Sequence, residues 1–141
     1  MKAVILAAGK GTRLQELTKE QPKPMVPVAG KPCLARIIEG LQQAGVLDFV
    51  IVTGYMAHVI REHFGDGAGM GVRITYVHQE AVTGTGSALH LTQDAIGDSP
   101  FVMTYGDILV PPENYLGMTQ TFTRLSSQAL LGLNWVDDPY K

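Results

Sequence analysis

The sequence predicts a doubly wound α/β fold, in which a mainly parallel, Rossmann-like sheet has helices on both faces. Two observations carry this prediction. Short apolar runs typical of strands buried on both faces recur along the chain, and stretches with apolar residues at helical spacing separate them. Strands that alternate with helices in this way are typical of parallel α/β sheets. The 141 residues contain no internal repeat and no linker, so we interpret residues 1–141 as a single domain.

Each predicted element follows from a local pattern. The helix predicted at residues 33–44 has an apolar face with i, i+3, i+4, i+7 spacing, made by Leu34, Ile37, Ile38 and Leu41. By the same criterion, further helices are predicted at residues 56–64, 86–95 and 111–122. Strands are predicted at residues 2–8, 49–53, 72–78, 101–105 and 128–136. Residues 9–31 are rich in glycine and proline and predict a long irregular loop, which in a compact domain is usually functional.

The overall composition excludes several classes of protein. The formal net charge is −2, whereas a general nucleic-acid-binding surface needs a strong basic excess, so we expect no nucleic-acid partner. The single cysteine, Cys33, excludes an internal disulfide framework and a cysteine-based zinc site. No apolar run approaches the roughly 20 residues that span a bilayer. We therefore interpret the chain as a cytoplasmic protein without a membrane partner.

The distribution of charge is more informative than its total. Seven of the eleven lysine and arginine residues lie in the first 36 positions, where only Glu16 and Glu20 oppose them. A solvated basic surface would explain this excess. The glycines and prolines in the same segment favour a second interpretation, a binding site for a small polyanion.

The first chemistry-bearing segment, Leu6–Leu14, reads LAAGKGTRL and follows the first predicted strand. Its small residues allow a ligand to approach the backbone, whose N–H groups can bind an anion, while Lys10 and Arg13 add positive charge. It is not a Walker loop, because Gly11 is followed by Thr-Arg rather than Lys-Ser or Lys-Thr. Leu14 stands where a dinucleotide fingerprint has its third glycine. A plain tight turn is the alternative interpretation.

Two further segments point to the same chemistry. Lys23 stands between Pro22 and Pro24, which restrict the backbone on both sides and suit a lysine that meets a phosphate in one geometry. Asp107 ends the apolar strand at 101–105 through a glycine, and a carboxylate beside a polyphosphate suits Mg²⁺. An incidental lysine in a proline-rich loop and an aspartate that caps a turn are the alternatives.

Together these segments resemble the sugar-phosphate nucleotidyltransferases, the pyrophosphorylases that make nucleotide sugars. The residues that carry the resemblance are LAAGKGTRL at 6–14, PKPMVPVAGKP at 22–32, GTG at 84–86 and GD at 106–107. The resemblance implies a fold of the nucleotide-diphospho-sugar transferase type. It also implies a reaction in which an NTP and a sugar 1-phosphate give a nucleotide sugar and pyrophosphate, with Mg²⁺ as cofactor.

The resemblance also assigns roles to matching positions. The implied catalytic residues are Arg13, Lys23 and Asp107. Asp107 would hold the metal ion, and Lys23 would contact the α-phosphate region. The implied nucleotide-binding residues are Leu6, Ala7, Ala8, Gly9, Gly11, Thr12, Arg13, Lys23, Gln79, Gly84 and Thr85.

The base preference depends on Gln79 and Gly84. Members that use uridine or thymidine nucleotides read the base edge with a glutamine and a glycine in this arrangement, so the resemblance favours UTP or dTTP. An amide offers the donor and the acceptor that the imide edge of a pyrimidine requires. An ordinary polar residue at the end of a strand is the alternative for Gln79.

The resemblance covers the nucleotide-binding part of the family's catalytic domain, and most sugar-binding residues and a second metal-binding acid of the family lie beyond it. We therefore interpret residues 1–141 as the N-terminal part of a larger catalytic domain. A non-catalytic nucleotide-binding module and a CTP-dependent cytidylyltransferase are the alternatives. Apolar surface on the last predicted strand would also permit a homo-oligomer.

Overall fold

The computed structural model describes residues 1–11, 18, 20–81 and 83–133. Within them, four parallel strands form one sheet in the order β5-β4-β1-β6. These strands are β1 (Lys2–Ala7), β4 (Asp48–Thr53), β5 (Arg73–His78) and β6 (Phe101–Tyr105). A hairpin of β2 (Pro27–Val28) and β3 (Lys31–Pro32) forms a separate two-stranded sheet. The helices are α1 (Cys33–Gln43), α2 (Ala57–Phe64), α3 (Thr85–His90), α4 (Gln93–Ile96) and α5 (Pro112–Leu125).

Strand order reverses at β1. The chain passes from β1 to β4 and then to β5 on one side, and it returns to place β6 on the other side. In the resulting register Ile5 is paired with both Ile51 and Thr104. Parallel α/β sheets bind ligands at the carboxyl ends of the strands where the order reverses, which here lies between β1 and β6.

Helices cover both faces of the sheet, which confirms the predicted fold class. On one face, Ile5 and its neighbours pack into a core with α1, α2 and α5, and the side chains of Leu34 and Ile60 are fully buried there. On the other face, Val4 and Val52 pack against Ala88 of α3 and Ile96 of α4. The uninterrupted apolar run of β1 is therefore explained by burial from both sides.

The predicted loop at 9–31 was wrong in one part, because it contains the β2–β3 hairpin. Ala29 and Gly30 form its two-residue turn with φ of 47° and 80°. Two positive φ values match the twist of paired strands. The guanidinium of Arg36 donates to the carbonyl oxygens of Val28 at 2.6 Å and Ala29 at 2.9 Å, and so holds the turn against α1.

The helix predicted at 86–95 is divided into α3 and α4. Thr92 lies between them, fully buried, and its hydroxyl donates to the carbonyl oxygen of Leu89 at 2.6 Å. The backbone N–H of Thr92 donates to the same carbonyl, which replaces the α-helical pattern with a tighter turn.

The strand predicted at 128–136 was also wrong where it can be compared. Residues 128–133 form no strand, and residues 134–136 lie outside the described part. Leu131 and Leu133 are 81% and 90% exposed, so no burial supports an extended pairing there. An apolar alternation alone does not form a strand without a partner. Among the described helices, none combines the length and the apolar character that crossing a bilayer requires.

Candidate functional site

A cavity of about 390 Å³ opens at the carboxyl ends of the strands. Every predicted site residue in the described part of the chain lines it, namely Leu6, Ala7, Ala8, Gly9, Gly11, Lys23, Gln79, Gly84, Thr85 and Asp107. Thr12 and Arg13 lie outside the described residues. The structure therefore brings together residues from four separate segments of the sequence around one space.

Small residues at the end of β1 form the base of the cavity. Ala7 and Ala8 are 2% and 6% exposed. A Cβ added to Gly54, which follows β4, would lie 2.8 Å from the carbonyl oxygen of Ala8. The same oxygen accepts a hydrogen bond from the N–H of Tyr55 at 3.3 Å. The loop after β4 can approach β1 this closely because Gly54 has no side chain and Ala8 has only a methyl group.

Gly11 lies directly against the segment that holds Lys23. Its φ of +63° is unfavourable for other residues, and an added Cβ would lie 3.0 Å from Cβ of Lys23. The hydroxyl of Thr18 donates to the carbonyl oxygen of Gly11 at 3.3 Å. Glycine is therefore required here by both its backbone conformation and the close approach.

Lys23 begins a short 3₁₀ turn, Lys23–Met25. The turn is closed by the N–H of Met25, which donates to the carbonyl oxygen of Pro22 at 2.8 Å, and Pro24 and Met25 are buried beneath it. The backbone of Lys23 is thus fixed while its ammonium reaches the cavity. That ammonium donates to Oδ2 of Asp107 at 2.5 Å.

Asp107 is positioned by the glycine before it. The N–H of Gly106 donates to the carbonyl oxygen of Leu6 at 2.9 Å. A Cβ at Gly106 would lie 3.1 Å from both Cβ of Ala7 and Cγ of Pro24. Gly106 therefore joins β6, β1 and the lysine segment closely enough for the carboxylate of Asp107 to meet Lys23.

The surroundings of Asp107 fit one kind of metal site. Among the described residues, no group of three or more His, Cys, Asp or Glu side chains could hold a metal ion. Mg²⁺ commonly uses one or two carboxylates and completes its shell with water and phosphate oxygens. Asp107, whose side chain is 30% exposed beside the cavity, suits such a shared site and not an all-protein metal centre.

Gln79 supplies a buried polar group to the cavity. It follows β5, its side chain is 4% exposed, and its N–H donates to the carbonyl oxygen of Thr53 at 2.8 Å. Within the described residues its amide nitrogen Nε2 makes no hydrogen bond. A buried amide left unpaired is costly, so this group is one that a ligand in the cavity can satisfy.

Three lining residues were not predicted, namely Pro24, Ala88 and Tyr105. Tyr105 is the last residue of β6 and precedes the Gly106–Asp107 pair, so its place at the strand end was an available signal. Ala88 belongs to the second turn of α3, and only the packing of that helix against Val4 and Ala8 brings it to the cavity. No local pattern in the sequence distinguishes it.

The comparisons with known proteins agree with this geometry. The family model described as "Nucleotidyl transferase" matches residues 2–141. The chain belongs to this family. The match confirms the resemblance found in the sequence, and it extends over nearly all of the chain.

Relatives and solved structures support the assignment to the nucleotidyl transferase family. A "low-salt glycan biosynthesis nucleotidyltransferase" of Haloferax volcanii is 35% identical over 99% of this chain and 39% of its own length. A UTP–glucose-1-phosphate uridylyltransferase of the same organism is 45% identical over 76% of this chain and 43% of its own. A putative glucose-1-phosphate thymidylyltransferase from Bacillus anthracis superimposes with a TM-score of 0.81 at 32% identity, covering 88% of this chain and 50% of that one.

This family member spans about two fifths of the length of the two curated relatives above. Other relatives are named as a mannose-1-phosphate guanylyltransferase and a probable glucose-1-phosphate cytidylyltransferase. The family names around this chain therefore include transferases for four different nucleotides.

Proposed function

We propose that this chain forms the nucleotide-binding part of an enzyme that transfers a nucleoside monophosphate from an NTP to a sugar 1-phosphate. The products are a nucleotide sugar and pyrophosphate. The observation that carries the proposal is the convergence of Lys23, Asp107 and Gln79 on one cavity at the point where strand order reverses. An ammonium, a metal-binding carboxylate and a base-reading amide are the groups that a metal-complexed nucleotide needs.

The reaction is an in-line displacement. A phosphate oxygen of the sugar 1-phosphate forms a bond to the α-phosphorus, and the bond from that phosphorus to the bridging oxygen of pyrophosphate breaks. Pyrophosphate leaves with the electron pair. The second pKa of a phosphate monoester is about 6, so the nucleophile is already ionised at neutral pH and no general base is required.

The chain's own residues would contribute positioning and charge. Lys23 would bind the α-phosphate region, and the proline-restrained turn would keep its ammonium in one place. Asp107 would hold Mg²⁺, which when bound neutralises the negative charge of the phosphates. Arg13 would bind the departing pyrophosphate. Together these groups lower the repulsion between the two anionic substrates.

We propose UTP or dTTP as the nucleotide. Nε2 of Gln79 makes no hydrogen bond within the described residues, and this supports the choice. A side-chain amide can donate to a carbonyl of the pyrimidine and accept from its imide N–H. Gly84, which lines the same cavity with a φ of +115°, has no side chain and so allows a ligand to approach the backbone.

The nucleotide preference is tested by binding. We expect Mg²⁺ complexes of UTP or dTTP to bind more tightly than those of CTP and GTP in isothermal titration calorimetry. Gln79→Leu should reduce that preference by about tenfold, the value of one lost hydrogen bond to a buried group. The matched control is Gln93→Leu, since Gln93 is exposed on α4. Equal binding of all four nucleotides by the unmodified protein would contradict the proposed base.

Turnover is tested by pyrophosphate release from UTP or dTTP with a panel of sugar 1-phosphates. We expect Arg13→Ala and Asp107→Ala to abolish release without loss of the folded state. Near-normal release by either folded variant would contradict the assigned roles.

A non-catalytic nucleotide-binding module is the second candidate. It predicts nucleotide binding without release of pyrophosphate from any sugar 1-phosphate. A CTP-dependent cytidylyltransferase is the third candidate, and it predicts that pyrophosphate is released from CTP and from no other nucleotide. We also propose that the activity depends on Mg²⁺ and that the protein forms a homo-oligomer.

A further inference from the structure

The two charged groups assigned to the nucleotide and its metal ion are paired with each other. Nζ of Lys23 lies 2.5 Å from Oδ2 of Asp107. The residues are 84 positions apart in the sequence, and the pair joins the loop after β1 to the end of β6. It therefore lies across the place where the strand order reverses.

The packing on both sides holds this pair together. Pro24 and Met25 anchor the lysine side, and the close contacts of Gly106 with Ala7 and Pro24 anchor the aspartate side. The two side chains are 37% and 30% exposed, so ligands can reach them. Ion pairs with this exposure are weak, so a ligand that offers a new opposite charge to each partner can separate them.

Each half of a metal–nucleotide complex would disturb the pair in a different way. A metal-free triphosphate that takes Lys23 leaves the carboxylate of Asp107 unpaired beside added negative charge. A metal ion that takes Asp107 leaves the ammonium of Lys23 unpaired beside added positive charge. Only the metal–nucleotide complex supplies a phosphate to Lys23 and a metal ion to Asp107 at the same time.

We propose that the Lys23–Asp107 ion pair makes the cavity selective for the metal-complexed nucleotide over the free nucleotide and the free metal ion. This inference rests on the proposed function. It assigns Asp107 a second role, which is to compete with metal-free triphosphate for Lys23. By linkage, metal and triphosphate then bind with positive cooperativity.

The first measurement is the affinity of Asp107→Asn for UTP, dTTP, CTP and GTP in the presence of EDTA. Asparagine keeps the shape of aspartate and releases Lys23, so we expect tighter binding of metal-free nucleotide than in the unmodified protein. With Mg²⁺ the same variant should bind more weakly. The matched control is Asp48→Asn, which removes a carboxylate paired with Arg73 at 2.6 Å at the opposite end of a strand. We expect no change from this control.

The second measurement separates the ion pair from simple charge repulsion. When Lys23→Met is already present, Asp107→Asn should increase the affinity for metal-free nucleotide by less than it does in the unmodified protein. The usual energy of an exposed ion pair corresponds to a lysine-dependent increase in affinity of about twofold to fivefold. Lys23→Met should also raise the affinity for Mn²⁺ alone by a similar factor, measured by electron paramagnetic resonance. Circular dichroism and the thermal midpoint show that each variant is folded.

The outcomes distinguish this inference from the proposed function. If the unmodified protein binds Mg²⁺–nucleotide and the gain of Asp107→Asn is the same with and without Lys23, the selectivity inference is wrong and the proposed function stands. If the folded protein binds none of the four nucleotides with Mg²⁺ or without it, both are wrong. A lysine-dependent gain supports the inference.

Discussion

At the scale of single residues, Gly106 places the carboxylate that the proposed mechanism needs. We predict that Gly106→Ala destabilises the protein by about 1–3 kcal/mol, because the added methyl group would overlap Ala7 and Pro24. The displaced Asp107 should also weaken Mg²⁺–nucleotide binding. Urea denaturation and calorimetry measure the two effects.

The matched control for that substitution is Gly86→Ala. Gly86 is exposed in α3 beside the same cavity, and an added Cβ there meets no atom of the described residues within 4 Å. Alanine is the better helix former, so a gain of about 0.5–1 kcal/mol is expected. If Gly106→Ala behaves like Gly86→Ala, close packing is not what positions Asp107.

The buried thiol of Cys33 predicts a contribution to stability that depends on pH. Burial raises the pKa of its thiol, the nearby Asp107 raises it further, and Lys23 and Arg36 act in the opposite direction. In the unfolded chain the thiol titrates near pH 8.5. The folded state keeps the proton to higher pH, so this contribution to stability is complete below about pH 8.5 and is lost as the pH rises through the folded-state pKa.

We therefore predict that the free energy of unfolding decreases as the pH rises above about 8.5, and that it decreases less in Cys33→Ala. Urea titrations at a series of pH values measure this difference. Native Cys33, which is 6% exposed, should also react slowly with iodoacetamide and rapidly once unfolded. Equal pH dependence in the two proteins would show that Cys33 is not the titrating group.

At the scale of elements, the contact between α1 and α5 depends on Gly40. A Cβ at this position would lie 3.1 Å from Cδ2 and Cε2 of Tyr115, whose ring is buried in the core. Gly117 of α5 is exposed, and a Cβ added to it would meet no atom within 4 Å in the part of the chain that the structure describes. The two glycines thus differ in packing while both lie in helices.

We predict that Gly117→Ala raises the free energy of unfolding by about 0.5–1 kcal/mol, since alanine favours the helix. Gly40→Ala should give a smaller gain or a loss, because α5 must move away from α1 to admit the methyl group. Thermal and urea unfolding measure both. A gain at Gly40 equal to that at Gly117 would show that the two helices are not closely packed.

The same elements show what the sequence could predict. The apolar spacing of α1 and the uninterrupted runs of β1 and β4 are local patterns, and each agrees with the structure within one or two residues. The β2–β3 hairpin has strands of only two residues and an alanine at positive φ, so no pattern of useful length marks it. The division at Thr92 depends on the burial of one hydroxyl, which periodicity does not report.

Part of the candidate site could likewise be predicted from the sequence, and part could not. Glycine, lysine and aspartate motifs at strand ends could be predicted to meet, because parallel strands place their carboxyl ends at one edge. The pairing of Lys23 with Asp107 could not be predicted, because it depends on the distance between segments remote in sequence. The same holds for Nε2 of Gln79, which makes no hydrogen bond within the described residues. Tyr105 and Ala88 likewise reach the cavity through tertiary packing.

At the scale of the whole molecule, the two outer strands of the described sheet differ in character. Along β5, Arg73 and His78 are exposed, and Arg73 is paired with Asp48 across the neighbouring strand. Along β6, Phe101 and Tyr105 are 40% and 39% exposed. Charged side chains protect an edge strand from pairing with another chain, whereas an apolar edge invites it.

We predict that the protein associates in a concentration-dependent way through β6, and that Phe101→Lys weakens this association by adding charge to the edge. Leu47→Lys is the control, because Leu47 is 52% exposed in the turn before β4 and away from that edge. Sedimentation velocity over a range of concentrations measures both. A monomer at every concentration would contradict the prediction, and equal weakening by both variants would show that net charge, not the β6 edge, controls association.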